Sequence, residues 1–515
     1  MATLAEPGAL DRLLAAVGRE PLLTDPALLE LHGQDVFTRG PEPVAVFRPR
    51  SVDELARGVA AAGDLLLVPR GGGMSYTGGY LPEAAGALLI DLSELDRIVE
   101  VDEVDMTVTV EAGCTWAKLH AALHPRGLRV PVWGTLSGVR ASVGGGMSQN
   151  GLFWGAGRGS IAPTALSFDV VLADGSVART GSDVLRPFGP DVTGLFAADC
   201  GAFGIKARVT LPLQREAACF AYGSFAFDAP ERFTAAMSAI GREGLATECF
   251  GFDPFLQSQR MRRESLAADV GKLVGVMRSQ GGFWRGLKEG ARVVAAGRSF
   301  LDDAVFSIHC TAEGRIQAAA DADMDAIRAI VRQAGGREVE NTIPKVMRAN
   351  PFPPVNSMLG PSGERWVPVH GVVSHSRALP TVEAVVELFE AHAAEMERLG
   401  VGAGYMFLTA GTTGFLIEPV FFWPDRQEAL HRHAVEPAHL ARLQRFDANP
   451  DARALVEHLR REVVALLGRM EAVHFQIGRT YPLRERSDPG AWRVLEAVKR
   501  AVDPDGRMNP GVLGL

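Results

Sequence analysis

The chain has 515 residues, beyond the size at which one hydrophobic core stops growing, so two or three domains are expected. Apolar residues make up 47% and charged residues 22%, which fits a packed globular chain and excludes a disordered one. A net charge of −8 argues against nucleic-acid binding.

No uncharged apolar run approaches the roughly 20 residues that span a bilayer. The opening "MATLAEPGALDRLLAAVG" lacks a basic stretch followed by an apolar one, so a cytoplasmic location is expected. Five scattered cysteines, with neither CxxC spacing nor an even count, read as reduced buried thiols, and no metal is expected.

Between Val44 and Leu213 short apolar runs alternate with helical patterns. "VAVFRP" (44–49), "LLLVPRGGG" (65–73), "ALLIDLS" (87–93) and "VTVEAGCTWAKLHAAL" (108–123) come first, then "FDVVLADGSVAR" (168–179) and "GIKARVTLPL" (204–213). The "ADGS" at 173–176 predicts a hairpin turn. "SVDELARGVAAAG" (51–63) predicts a helix opened by a Ser51–Glu54 capping box. From about 216, Phe-rich strands such as "YGSFAF" (222–227) and "FSIHCTAEG" (306–314) bracket amphipathic helices at 317–334 and 381–399. Two strand–helix–strand passages of this kind predict a ferredoxin-like sheet with a helical cover.

Four glycine-rich stretches carry the chemistry. "PRGGGMSYTGG" (69–79) follows an apolar strand; consecutive glycines let backbone N–H groups converge on phosphate oxygens. It is not a GxGxxG turn, so a Rossmann nicotinamide site is not expected. "GTLSGVRASVGGGMSQNG" (134–151) adds hydroxyl and amide donors at Ser137, Ser142, Ser148 and Asn150. Two such clusters in one domain suit a single large polyphosphate ligand. "CGAFGIKARVTLPL" (200–213) and "DPDGRMNPG" (503–511) complete the set.

In their order and spacing these motifs resemble the FAD-binding module of the vanillyl-alcohol oxidase / para-cresol methylhydroxylase (PCMH-type) superfamily. The resemblance implies an α+β fold: a PCMH-type FAD-binding module of two α+β subdomains at 1–215, a ferredoxin-like α+β cap holding the substrate at 216–450, and a C-terminal helical segment and tail at 451–515 returning to the FAD site. It assigns the flavin to Arg70, Gly71, Gly72, Gly73, Met74 and Ser75 in the first loop. In the second loop it assigns Gly134, Thr135, Ser137, Ser142, Gly144, Gly145, Ser148, Asn150 and Gly151. Gly204 and Ile205 would lie by the adenosine half, and Asn509 near the isoalloxazine ring. Several members tether FAD through a histidine where this chain has Met74, so FAD is expected to be non-covalent unless His431, His433 or His439 provides an anchor; their run reads as a solvated helix face.

Three further segments, "ERWVPVHGVVSHS" (364–376), "GFLIEPVFFWPD" (414–425) and "HFQIGRTYPL" (474–483), resemble the aryl-alcohol branch of the superfamily. The resemblance implies that Arg479 and Tyr76 stabilise negative charge on a substrate oxygen, with His474 and His370 as further catalytic candidates. Two features depart from that branch: Gly478 replaces a second tyrosine, and "NGLFWGAGRGS" lacks the expected carboxylate. The implied activity is hydride removal from an alcohol or phenolic substrate, as an oxidase or a dehydrogenase. The alternative is a 2-hydroxy-acid dehydrogenase of the glycolate or D-lactate kind, although its metal-type histidines are missing here. The electron acceptor would be O2, a quinone or an electron-transfer protein, and a homodimer is an allowed assembly.

Residues 258–298 hold nine bases against three acids. This run reads as a solvated helix face, or as a docking surface for an acidic acceptor, a partner subunit or an anionic membrane. Because Met74 cannot form the tether, acid or heat should release FAD into the supernatant; colour that stays with the precipitate would locate a covalent anchor elsewhere.

Overall fold

The computed structural model describes residues 8–257 and 306–515, so the basic run at 258–298 lies outside the described residues. The first sheet has four strands in the order Leu22–Leu23, Ala45–Phe47, Leu88–Asp91, Leu67–Arg70; the last three run parallel. Parallel strands need crossover connections, and the helix Val52–Ala61 supplies one. Ser51 Oγ accepts from Glu54 N at 3.1 Å, as a capping box requires, but the return bond is displaced by one residue: Glu54 Oε2 accepts from Arg50 N at 2.6 Å. Phe47, Leu55, Val59, Leu67 and Ile90 form the core between this helix and its sheet.

A second, antiparallel sheet runs Ile98–Asp102, Thr107–Glu111, Ile205–Pro212, Ser167–Val171, Val177–Gly181. The expected hairpin joins its last two strands, with Gly175 at φ 84° in the left-handed region that a side chain disfavours. Trp116, Met147, Trp154 and Phe168 pack beneath it.

The third sheet has the order Arg337–Val339, Cys219–Phe227, Phe306–Gly314, Glu248–Phe252, Gly402–Ala410, Gly414–Trp423, Arg365–Pro368, and Gly371–Ser374 also pairs with Gly414–Trp423. Its first four strands, numbered by sequence, stand 4-1-3-2 and pair antiparallel, the ferredoxin-like arrangement. The remaining strands extend that unit into a larger sheet. The long helix expected at 381–399 is two, Ala378–Ala391 and Ala393–Leu399, broken at His392 (φ −106°, ψ 5°).

Helices at Pro230–Glu243, Gln317–Gln333, Ala378–Ala391 and Pro450–Arg469 supply residues to the core on one face of this sheet. The helix Pro450–Arg469 therefore packs with the cap, while the tail beyond it returns to the first sheet, where Leu67 N donates to Arg507 O and Asn509 N to Leu67 O. The other face meets the second sheet's core through Phe250, Leu408, Leu416 and Phe422. Gly414–Trp423 is thus buried on both faces, which is why it reads as one apolar run.

A buried charge network ties cap to module. Arg348 bonds both oxygens of Glu248 at 3.0 Å and also reaches Glu313, which Arg129 grips from the module side; Gly155 N donates to Glu248 at 2.9 Å. Burial pushes the Glu248 carboxyl up, opposed by Arg348, whereas Arg129 and Arg348 outweigh burial at Glu313 and hold it down at about 2. Arg348→Met leaves Glu248 buried without its guanidinium. It should cost roughly 3–5 kcal/mol, read as a lowered urea midpoint, the penalty of orphaning a buried charge.

Candidate active site

One continuous cleft, about 1830 Å³ of empty space counting its open mouth, runs between the two smaller sheets and the large one. Its floor consists of the first glycine loop, Arg70 to Tyr76, and the second, with Thr135, Ser137, Ser142, Gly144, Gly145, Ser148 and Gly151; Gly204 and Ile205 close one end. Three of the expected cofactor residues stand just outside it. Gly134 packs on the Trp116 ring, Asn150 Oδ1 accepts from Ala162 N at 3.0 Å, and Asn509 Nδ2 donates to Gly79 O and Cys200 O at 2.8 and 2.7 Å. Asn509 shapes the cleft from behind.

The glycines are required by contact. A Cβ on Gly72 would run into the Arg140 carbonyl, and one on Gly71 into Ser142 Oγ, so the two loops lie backbone against backbone. Arg70 turns its guanidinium under Gly73 and over the Tyr80 ring at 5.3 Å, yet its Nη1 is buried without a protein partner. A buried guanidinium N–H facing a cradle of glycine amides and serine hydroxyls is the donor set a pyrophosphate satisfies. The residues present therefore fit FAD. Met74 lines the cleft, and His431, His433 and His439 are not among its lining residues.

The opposite wall comes from the large sheet, and alternation decides which side chains face it. From Gly414–Trp423, residues Leu416, Glu418, Val420 and Phe422 line the cleft, while Phe415, Ile417, Phe421 and Trp423 enter the helical core. Met406 and Leu408 come from the neighbouring strand, with Leu256, Val355, Met358, Trp366 and Phe475 around them. Tyr405 turns both backbone groups away from its partner Pro419 and toward Asp253, whose Oδ1 accepts from Tyr405 N at 2.8 Å and whose N donates to Tyr405 O at 3.1 Å, so the proline costs this pair no hydrogen bond.

Glu418 was missed in reading the sequence; its signal is a lone carboxylate inside a ten-residue apolar run. It is the only carboxylate among the described residues lining the cleft. Tyr76 Oη donates to Glu418 Oε1 and accepts from Gln476 Nε2, both at 3.4 Å, and its ring meets Trp366 edge-on. Burial, then the Glu418 charge, pushes the Tyr76 phenol well above its ordinary range, so it is a proton donor and not a base. Gln476 sits at φ 50°, held by its N–H to Gln149 O at 2.6 Å, a left-handed backbone that aims its amide at Tyr76.

Of the four expected catalytic residues the structure brings only Tyr76 to the cleft. Arg479 is spent elsewhere: Nη1 donates to Gly78 O and to Leu81 O (2.9 Å), and Nη2 to Pro510 O at 2.6 Å. These bonds clamp the first loop, leaving Nε buried without a partner, and Arg479 is not among the residues lining the cleft. His370 and His474 stand one layer behind the wall. His370 is held through Nε2 by Phe475 O and through Nδ1 by the Tyr481 hydroxyl, while His474 donates from Nδ1 to His370 O at 2.7 Å and stacks on Tyr481 at 4.1 Å. Burial lowers their pKa values to about 3 and about 4, so both rings are neutral.

A phosphate-cradling floor under an apolar roof defines a protein built to bind a flavin dinucleotide. Residues 43–181 match the FAD binding domain family and residues 438–513 match the family described as FAD linked oxidases, C-terminal domain, so the chain carries a domain of each kind. It is 30% identical over 179 residues to "Glycolate oxidase subunit GlcD" of Bacillus subtilis (strain 168), covering 33% of this chain and 37% of that protein. It is 31% identical over 225 residues to "Probable D-lactate dehydrogenase, mitochondrial" of Danio rerio, covering 41% and 44%. The chain thus spans less than half the length of these curated relatives. A p-cresol methylhydroxylase structure with substrate bound superposes with TM-score 0.72 at 15% identity, covering 98% of this chain and 96% of that one; the likeness is one of fold.

Arg70→Met removes the unpartnered donor while keeping the stem. The dissociation constant of FAD, titrated by fluorescence, should rise roughly 10- to 100-fold, the 1.5–3 kcal/mol of a charge-assisted hydrogen bond. An unchanged constant would remove Arg70 from the cofactor site.

Proposed function

We propose that the protein removes a hydride from the CH–OH or benzylic carbon of an uncharged, largely apolar alcohol or phenol, with FAD bound non-covalently and re-oxidised by O2, a quinone or an electron-transfer protein. The observation that carries this reading is the wall facing the flavin floor. Its residues are apolar apart from Ser357 and the trio Glu418, Tyr76 and Gln476, and no Lys, Arg or His belongs to it among the described residues. A hydroxy-acid substrate needs a cation for its carboxylate, and here it would instead meet the Glu418 carboxylate. The relatives named for glycolate and D-lactate match over a third to two-fifths of the chain, which supports the shared cofactor more than a shared substrate.

FAD, when bound, supplies the hydride acceptor. Glu418 accepts the proton of the substrate hydroxyl as negative charge builds on its oxygen. Tyr76 donates a hydrogen bond to that oxygen, and Gln476 fixes the Tyr76 hydroxyl. Trp366, Phe422 and Phe475 exclude water and orient the ring or chain of the substrate. Arg479 and Asn509 act at a distance by fixing the first loop, and so position Tyr76.

Anaerobic bleaching of the flavin band with a substrate panel tests this. Aryl alcohols or 4-alkylphenols should reduce the flavin, and glycolate and D-lactate should not; fast reduction by D-lactate would overturn the reading in favour of the 2-hydroxy-acid alternative. Glu418→Gln, which keeps shape and FAD, should slow reduction by about two to four orders of magnitude, the range for a general base. Tyr76→Phe should cost less.

A further inference from the structure

The helix Trp116–Leu123 and the turn after it read "WAKLHAALH", placing His120 and His124 four residues apart on one side. Their rings lie 5.0 Å apart, within 30° of parallel. Glu216 arrives from the segment after the strand Gln214–Arg215, which pairs with Leu128–Arg129, and its N–H is held by Gly127 O at 2.9 Å. Its Oε2 is 2.7 Å from His124 Nδ1. One ligand atom from each of the three residues lies within 4.8 Å of the other two.

We propose that His120, His124 and Glu216 bind a divalent transition-metal ion of the zinc class, at a site on the outer face of the FAD module. Two imidazoles and a carboxylate are a donor set that zinc accepts, with solvent at the open fourth position. Zinc–ligand bonds near 2.1 Å at tetrahedral angles put donor atoms about 3.4 Å apart. His120 must therefore close in while the His124–Glu216 hydrogen bond opens, and the ion takes the place of that bond. His124 is free to move, its side chain being 56% exposed. Stacking on Trp133 at 5.3 Å and the edge of Phe352 at 5.7 Å already orient the His120 ring. Arg129 and Arg348, which act electrostatically on His120, are paired with Glu313 and Glu248.

The position gives the ion a role. Glu216 lies three residues before Cys219, where the strand Cys219–Phe227 of the large sheet begins, while Trp133 leads into Gly134 and Thr135 of the second glycine loop. A metal here staples the joint between module and cap and stiffens a loop that lines the cofactor cleft.

The test uses the full-length, FAD-loaded protein, stripped with chelator and dialysed against zinc chloride. Elemental analysis should find one zinc per chain, and the melting temperature should rise with zinc. His124→Ala and Glu216→Gln should each weaken zinc binding tenfold or more, with metal-free melting and FAD content as in the parent. No zinc retained at millimolar concentration overturns the proposal. So does equal binding by parent and variants, which would move the ion to another cluster such as His392 with His458, whose rings are 5.6 Å apart.

Discussion

The first glycine loop has no sheet or helix to satisfy its carbonyls, and it is largely buried, so every one of those oxygens needs a donor brought from elsewhere. Arg479 provides for Gly78 and Leu81, Asn509 for Gly79, Arg460 for Tyr76 and Tyr80 for Ser75; Asp35 takes the Gly78 N–H at 2.8 Å. The cofactor floor depends on this borrowed bonding. A loop thin enough to approach a pyrophosphate cannot carry the side chains that would hold it in shape, so late segments of the chain hold it from beneath.

The cleft is electrostatically divided by the same economy. Cations sit on the floor, where Arg70 keeps one N–H unpartnered and Lys206 is matched by Asp199 at 2.5 Å. The roof carries one carboxylate among the described residues, Glu418. On the proposed reading a dinucleotide lying along the floor leaves its redox end under a largely apolar wall.

Much of this was legible in the sequence, because glycine clusters and strand periodicity are local signals. The capped helix at Ser51, the hairpin at Gly175, the 4-1-3-2 cap strands and the lining of the cleft by Arg70–Tyr76 follow from short patterns. What was hidden depends on pairing across hundreds of residues. Arg479 looks like an anion-binding arginine until Gly78, Leu81 and Pro510 occupy its terminal nitrogens. Glu418 looks like an accident in an apolar strand until alternation turns it toward Tyr76. The break at His392 lies within a continuous amphipathic pattern, which periodicity alone could not divide.

The span of those clamping bonds has a consequence for how the protein is made. Gly78 and Arg479 are 401 residues apart, and Asn509 is 430 residues from Gly79. Closing contacts of such separation is entropically expensive and comes late. On the ribosome the first loop emerges long before its clamps, so the nascent module holds a shapeless cofactor floor while the entire cap is being translated. The shape of the cofactor floor therefore depends on segments translated some 401 to 430 residues after the loop they clamp.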